Sequence, residues 1–203
     1  MELRPTRRQL VSDGITAAAG VAGAVSAASV LASTASAAGA PPQLEAMALT
    51  HALQIEQLLL IAYRQVVASP VIHPPVAGQL RTQLGQEITH VEILQQALAS
   101  RGEIVPTPPN LEAAQDELSQ HQVHWSLTDL RNQHDCLKLL VDVESLAENA
   151  YFQAVGEIQD PALLRTCAEI MACEAQHWTV LSGFLNHQNV KKAVPYPFVE
   201  GSP

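Results

Sequence analysis

Aromatic residues are scarce. Phe, Trp and Tyr make up only 4% of the chain, which leaves little of the material that favours strands. Basic residues are outnumbered, 11 against 20 acidic, and the net charge of −9 excludes a surface built to hold a nucleic-acid backbone. Only three cysteines occur, Cys136, Cys167 and Cys173, and none forms a C-x-x-C pair. Zinc-ribbon and rubredoxin-type sites are thereby excluded. What is plentiful is Ala, Leu, Gln and Glu, all good helix formers. Hydrophobic residues account for 47% of the 203 positions, enough for one domain with a core.

Residues 1–38 differ in composition from the rest. A short basic start (Arg4, Arg7, Arg8) leads into Gly14–Ala37, an uncharged stretch of Ala, Gly, Ser and Val that closes on the small residues Ala35-Ser36-Ala37. The run Thr6-Arg7-Arg8-Gln9-Leu10-Val11 resembles a twin-arginine export signal, without the aromatic residue and trailing lysine often present. That resemblance implies export in the folded state to the periplasm or beyond, with residues 1–38 cleaved and no membrane attachment afterwards. The apolar stretch is long enough to span a bilayer uncleaved, but its Ala/Gly richness makes it weakly hydrophobic.

After Pro41-Pro42, apolar residues recur at three- and four-residue spacing from Leu44 through Ile55, Leu58 and Leu59 to Val66, which predicts a helix ending at Ser69-Pro70. A second helix is expected from Pro74-Pro75 to Arg101, with Gly102 as its stop. Gly102–Asn110 holds three prolines and reads as linker. Asn110 is placed to cap a short helix through Gln120, a long helix is expected from Ser126 to Ile158, and Asp160-Pro161 opens another that reaches Gln188. The expectation is all-α: an antiparallel four-helix bundle over residues 43–190, two hairpins joined by one crossover of about 25 residues, with 191–203 as an irregular tail.

The two hairpins repeat each other. Ile55-Glu56-Gln57-Leu58 aligns with Val143-Glu144-Ser145-Leu146, and each Glu is followed seven residues on by a tyrosine, Tyr63 or Tyr151. Glu87-Ile88-Thr89-His90 aligns with Glu174-Ala175-Gln176-His177. Glu144 follows Glu56 by 88 residues, and Glu174 follows Glu87 by 87. Residues three apart on a helix lie about 60° apart around the axis and about 4.5 Å along it, so each Glu-x-x-His can converge on one ion. Glu56 and Glu144 interrupt apolar stretches where an unpaired carboxylate costs several kcal/mol. Four such carboxylates repel one another, and two divalent cations neutralise them. One Glu-x-x-His among eight histidines means little; two, each preceded by a Glu at nearly the same distance, do not arise readily by chance.

One Glu from each of two helices with Glu-x-x-His from each of the other two resembles the ligand set of ferritin-like di-iron and di-manganese carboxylate proteins. The resemblance covers about Gln43–Gln188. It implies that Glu56 and Glu144 are terminal ligands, that Glu87 and Glu174 bridge, and that His90 and His177 serve one metal each. Two iron ions are the expected cofactor, with manganese the alternative. The implied activity is oxidation of Fe²⁺ or reduction of O₂ or peroxide, the latter with an external electron donor. The rival expectations are a non-catalytic metal-binding or iron-storing bundle and a structural, stress-related bundle with a vestigial site. A homodimer is one expected assembly; a monomer or dimer would exclude an iron-storing cage.

Tyr63 and Tyr151 lie nearly on the faces of Glu56 and Glu144, about 10.5 Å along the axis, and are the candidate catalytic residues, as hydrogen-bonding partners that orient the ligands. Glu148, one turn after Glu144, is a substitute or additional ligand, although the repeat has Leu60 there. Cys173 is read as a buried thiol. Cys136 and Cys167 are expected on opposite sides of the site, roughly 22 Å apart along the axis and beyond disulfide reach. His121, His124 and Trp125 are expected to pack at the surface or the bundle end.

Overall fold

The computed structural model describes residues 42–186 and 189, so the segment read as an export signal and the expected C-terminal tail lie outside the described residues. The elements are α1 (Pro42–Ala68), α2 (Pro74–Ser100), α3 (Leu111–Gln120), α4 (Gln133–Glu157) and α5 (Pro161–Leu185). No strand occurs among the described residues, and none of their helices is long and apolar enough to cross a membrane. Helix α1 packs against α2 and α4, α4 packs against α5, and α2 and α5 meet over a shorter stretch. This is the helical bundle of two hairpins that the apolar periodicity predicts.

Local chemistry sets the helix ends. Gly102, at φ 73°, takes the left-handed turn that ends α2, with Gly102 N–H donating to the Ala99 carbonyl and Glu103 N–H to that of Leu98. Asn110 caps α3 by accepting from Ala113 N–H. Asp160 caps α5 through Ala162 and Leu163, with Pro161 in the first turn. The same corner is tied to its neighbours. Glu45 accepts from the N–H groups of Gln159 and Asp160, and Arg101 donates to Asp160 Oδ2 at 2.9 Å.

Two boundaries differ from expectation, the smaller being the end of α5, which stops at Leu185 rather than Gln188. Helix α4 starts at Gln133 rather than Ser126, so the crossover runs over residues 101–132. Ser126 does accept backbone hydrogen bonds, from Thr128 and Asp129, but these close a local turn and not a helix. The cap is Asn132, whose Oδ1 accepts from Asp135 N–H. Asn132→Ala is expected to cost about 1 kcal/mol and to lower Tm by about 2–4 °C; an unchanged melting curve would mean that this cap does not hold the helix start.

The apolar core falls into two clusters. One gathers Leu58, Tyr63, Val66, Leu80, Leu118, Cys136 and Leu140; the other gathers Leu49, Leu53, Leu94, Tyr151, Leu163 and Cys167. Cys136 and Cys167 therefore lie in separate clusters, and all three cysteines are free. Trp125 joins the first cluster from its edge and donates to Asp142 at 2.7 Å, which closes the crossover over the bundle end.

Candidate metal centre

Glu56, Glu87, Glu144 and Glu174 are fully buried, and His90 and His177 nearly so. These are the six residues singled out by the repeat, and the bundle brings all of them together. His90 Nδ1 lies 2.7 Å from Glu174 Oε1, 3.4 Å from Glu87 Oε2 and 3.7 Å from Glu56 Oε1. His177 Nδ1 lies 2.7 Å from Glu87 Oε1, 3.4 Å from Glu174 Oε2 and 3.4 Å from Glu144 Oε1. The two halves are related by a pseudo-twofold exchange of hairpins. The imidazole rings stack with centroids 6.2 Å apart.

The carboxylates divide into two kinds. Glu87 and Glu174 each turn one oxygen toward one histidine and the other oxygen toward the second. Two overlapping groups result: Glu56, Glu87, His90 and Glu174, and Glu87, Glu144, Glu174 and His177. Within each group the ligand atoms lie within 4.8 Å of one another. Glu87 and Glu174 belong to both, as bridging residues would; Glu56 and Glu144 belong to one each.

The donor atoms fit a pair of cations. Both oxygens of Glu87 and of Glu174, Oε2 of Glu56 and of Glu144, and Nδ1 of both histidines are buried without a hydrogen-bond partner. Buried polar atoms are rarely left so, and here they converge instead of pairing. His177 shows the complementary feature: its Nε2 lies 2.9 Å from Gln86 Oε1. An N–H donated there leaves the Nδ1 lone pair facing the carboxylates, the tautomer a metal ligand needs. No sequence signal marks Gln86 for this role, because its neighbour is decided by how α2 meets α5.

The tyrosines reach the centre in a crossed arrangement. Tyr63 of α1 donates to Glu144 of α4, and Tyr151 of α4 donates to Glu56 of α1 at 2.5 Å. The helical face shared by Tyr63 with Glu56, and by Tyr151 with Glu144, left open which ligand each hydroxyl would orient. The antiparallel packing of α1 on α4 gives each tyrosine the equivalent Glu of the other hairpin. Each phenol fixes one carboxylate oxygen and leaves the other, Oε2, without a partner.

Electrostatics show how the cluster behaves with protons as its only cations. Burial pushes the Glu56 and Glu144 carboxyls well above the ordinary carboxylate range, and the charge of Glu174 adds to the effect. Burial acts against the Glu174 carboxylate too, but its contacts with His177 and His90 outweigh it and bring the group to about 2. Burial favours a neutral His90, yet contacts with Cys173, Glu174 and Glu87 prevail and raise it to about 12. His177 is raised against burial in the same way, by Cys173 and Glu144. Burial, then the Glu144 charge for Tyr63 and the Glu56 charge for Tyr151, keeps both phenols protonated far above the usual range.

Cys173 is half-buried and not the enclosed thiol expected, with Sγ 3.5 Å from His177 Nε2. Contact with His177 and then His90 pulls it down to about 7. Glu148 lies outside both four-residue groups. Among the described residues, His121 and His124 join no candidate metal cluster.

Comparison with known proteins agrees with this fold. The crystal structure of a conserved hypothetical protein from Mycobacterium tuberculosis superimposes with a TM-score of 0.61 at 17% identity, over 77% of this chain and 99% of that one. At that identity the likeness is one of fold. No curated protein is significantly similar to the chain. The family model for the ferritin-like domain matches residues 44–187, from the first helix to just past the last, with all six residues of the centre inside it. The chain is a member of the ferritin-like domain family.

Proposed function

We propose that Glu56, Glu87, His90, Glu144, Glu174 and His177 hold two divalent cations, iron ahead of manganese, and that the loaded protein is an oxidoreductase that turns over Fe²⁺ with O₂ or peroxide. The observation that carries this reading is the pair of overlapping four-residue groups sharing Glu87 and Glu174. Carboxylate oxygens with one imidazole per position suit iron or manganese, and four carboxylates against two divalent ions leave no net charge to bury.

Bound iron would supply the electron transfer. The chain's own residues do the rest. Glu87 and Glu174 hold the two positions at a fixed separation. Tyr63 and Tyr151, hydrogen-bonded to Glu144 and Glu56, restrict how those carboxylates swing. The apolar clusters above and below exclude bulk water from the layer. An external donor would return electrons if peroxide is the substrate. The twin-arginine-like start fits a protein that takes up its metal before export.

Loading with Fe²⁺ under argon and then admitting O₂, or peroxide in a parallel sample, tests the reading. Ferric absorbance should rise at a rate proportional to protein. The Glu56→Ala/His90→Ala double variant should show only the background rate. Equal rates in the two proteins would refute it.

A second reading has its own support. The 2.7 Å contacts of His90 with Glu174 and of His177 with Glu87 offer a metal-free neutralisation by two imidazolium ions, as a structural bundle with a vestigial site would use. Metal content well below two ions per chain after reconstitution would favour it.

A further inference from the structure

The pseudo-twofold relation between the hairpins breaks at a buried position of α4 beside the centre. Four residues after Glu144, α4 carries Glu148; four residues after Glu56, α1 carries Leu60. Both are 9% exposed. Leu60 packs into the apolar cluster around Leu94 and Tyr151. Glu148 has nothing comparable to do: its Oε1 is buried without a hydrogen-bond partner. A lone carboxylate in such a place destabilises the fold, and the matching position shows that leucine fits.

Position gives the carboxylate a use. On α4, Glu148 sits at the border between the buried stripe of Glu144, Ala147 and Tyr151 and the exposed strip of Ser145, Asn149 and Phe152. It is close enough to feel the charge of Glu174, a shared residue of the centre. It is not itself part of either group of converging ligand atoms. A carboxylate one step outside the centre and one step inside the surface is a waypoint.

We propose that Glu148 is an entry carboxylate, which captures a divalent cation at the solvent edge of α4 and passes it to Glu174, so that the centre fills from the second hairpin's side only. The proposal rests on the metal-binding reading above. Glu148 need not remain a ligand once both positions are filled. It shortens the distance over which a dehydrating cation has no anionic partner, a span where the cost of an unpaired charge is greatest. On the first hairpin's side Leu60 provides no such step.

Stopped-flow mixing of the metal-free full chain with Co²⁺, followed by its visible absorption, separates entry from holding. Glu148→Leu, which copies the first hairpin, and Glu148→Gln, which keeps the shape, should both still bind two Co²⁺ per chain at equilibrium. Both should load about tenfold or more slowly than wild type, since groups that support a metal site typically count for that much. A Leu60→Glu variant should load faster than wild type by opening the second side. Loading at the wild-type rate in both Glu148 variants would overturn the entry role while leaving the centre intact. Loss of one Co²⁺ from Glu148→Gln, with melting unchanged, would also overturn it by making Glu148 a resident ligand. A wild-type chain that binds no Co²⁺, Mn²⁺ or Fe²⁺ would overturn the parent reading and this one together.

Discussion

Glu87→Gln will empty both metal positions, whereas Glu56→Gln or Glu144→Gln will weaken chiefly one. The reason lies in how the oxygens are shared. Glu87 presents Oε1 2.7 Å from His177 Nδ1 and Oε2 3.4 Å from His90 Nδ1, so one side chain serves both groups. Glutamine keeps the shape but replaces one of those oxygens with an N–H₂ that points donors at a cation, and it removes a negative charge. Glu56 belongs to one group and keeps its Tyr151 hydrogen bond to an amide oxygen in the glutamine variant. Removing a group that merely orients a ligand commonly costs 10–100-fold in affinity, so losing the shared ligand should weaken both positions by more than about 100-fold. Dialysis against chelators of graded strength, with metal per chain counted afterwards, gives the readout. Wild type should retain two ions, Glu56→Gln and Glu144→Gln about one, and Glu87→Gln and Glu174→Gln none. A Glu87→Gln protein that retains two ions would show that Glu87 does not bridge.

The metal-free protein will be most stable in mild acid and will lose stability toward pH 9, opposite to the behaviour of the loaded protein. Glu56 and Glu144 are raised well above 4.5 in the folded chain by burial and by neighbouring carboxylates. Glu148 is raised to about 7 by burial and by Glu174, and His90 from 6.5 to about 12. A raised group binds its proton more tightly when folded, so its stabilisation is complete below the unfolded pKa and is lost as pH climbs toward the folded one. The loss begins near pH 4.5 for the carboxyls and near pH 6.5 for His90. Glu174 runs the other way, but its window lies between 4.5 and about 2, so it limits stability only in strong acid. Several groups shifted in the same direction amount to several kcal/mol, on the order of 10 °C in Tm for a domain of this size. Metal ions need deprotonated carboxylates and neutral imidazoles, so their affinity rises with pH and loading releases protons. Thermal melts with a strong chelator and with saturating Mn²⁺, from pH 5 to 9, should diverge steadily. Parallel curves would mean that these six side chains exchange no protons for metal.

Much of the centre is legible in the sequence, because helical geometry is local. Glu87 and His90 share a face whatever surrounds them, as do Glu174 and His177. The near-equal spacings between the hairpins, together with carboxylates set in apolar stretches, then leave few ways to arrange two hairpins that bury all six. The helix boundaries followed where a single residue decides them, as at Gly102, Asn110 and Asp160. They failed at Ser126, where the same side-chain chemistry that caps a helix also closes an isolated turn, and only the path of the crossover selects Asn132 instead.

The crossing of the tyrosines belongs to a different level. Seven residues bring Tyr63 back to the face of Glu56, and nothing in that spacing says that its hydroxyl reaches Glu144. The same holds for Gln86 against His177 and for the exposure of Cys173 beside it. Residue order therefore determined which side chains turn inward and at what height along each helix, since periodicity is a property of one chain segment. The bundle alone decided which of them touch, because a contact between helices depends on their direction, separation and rotation, and none of these is encoded within a single helix.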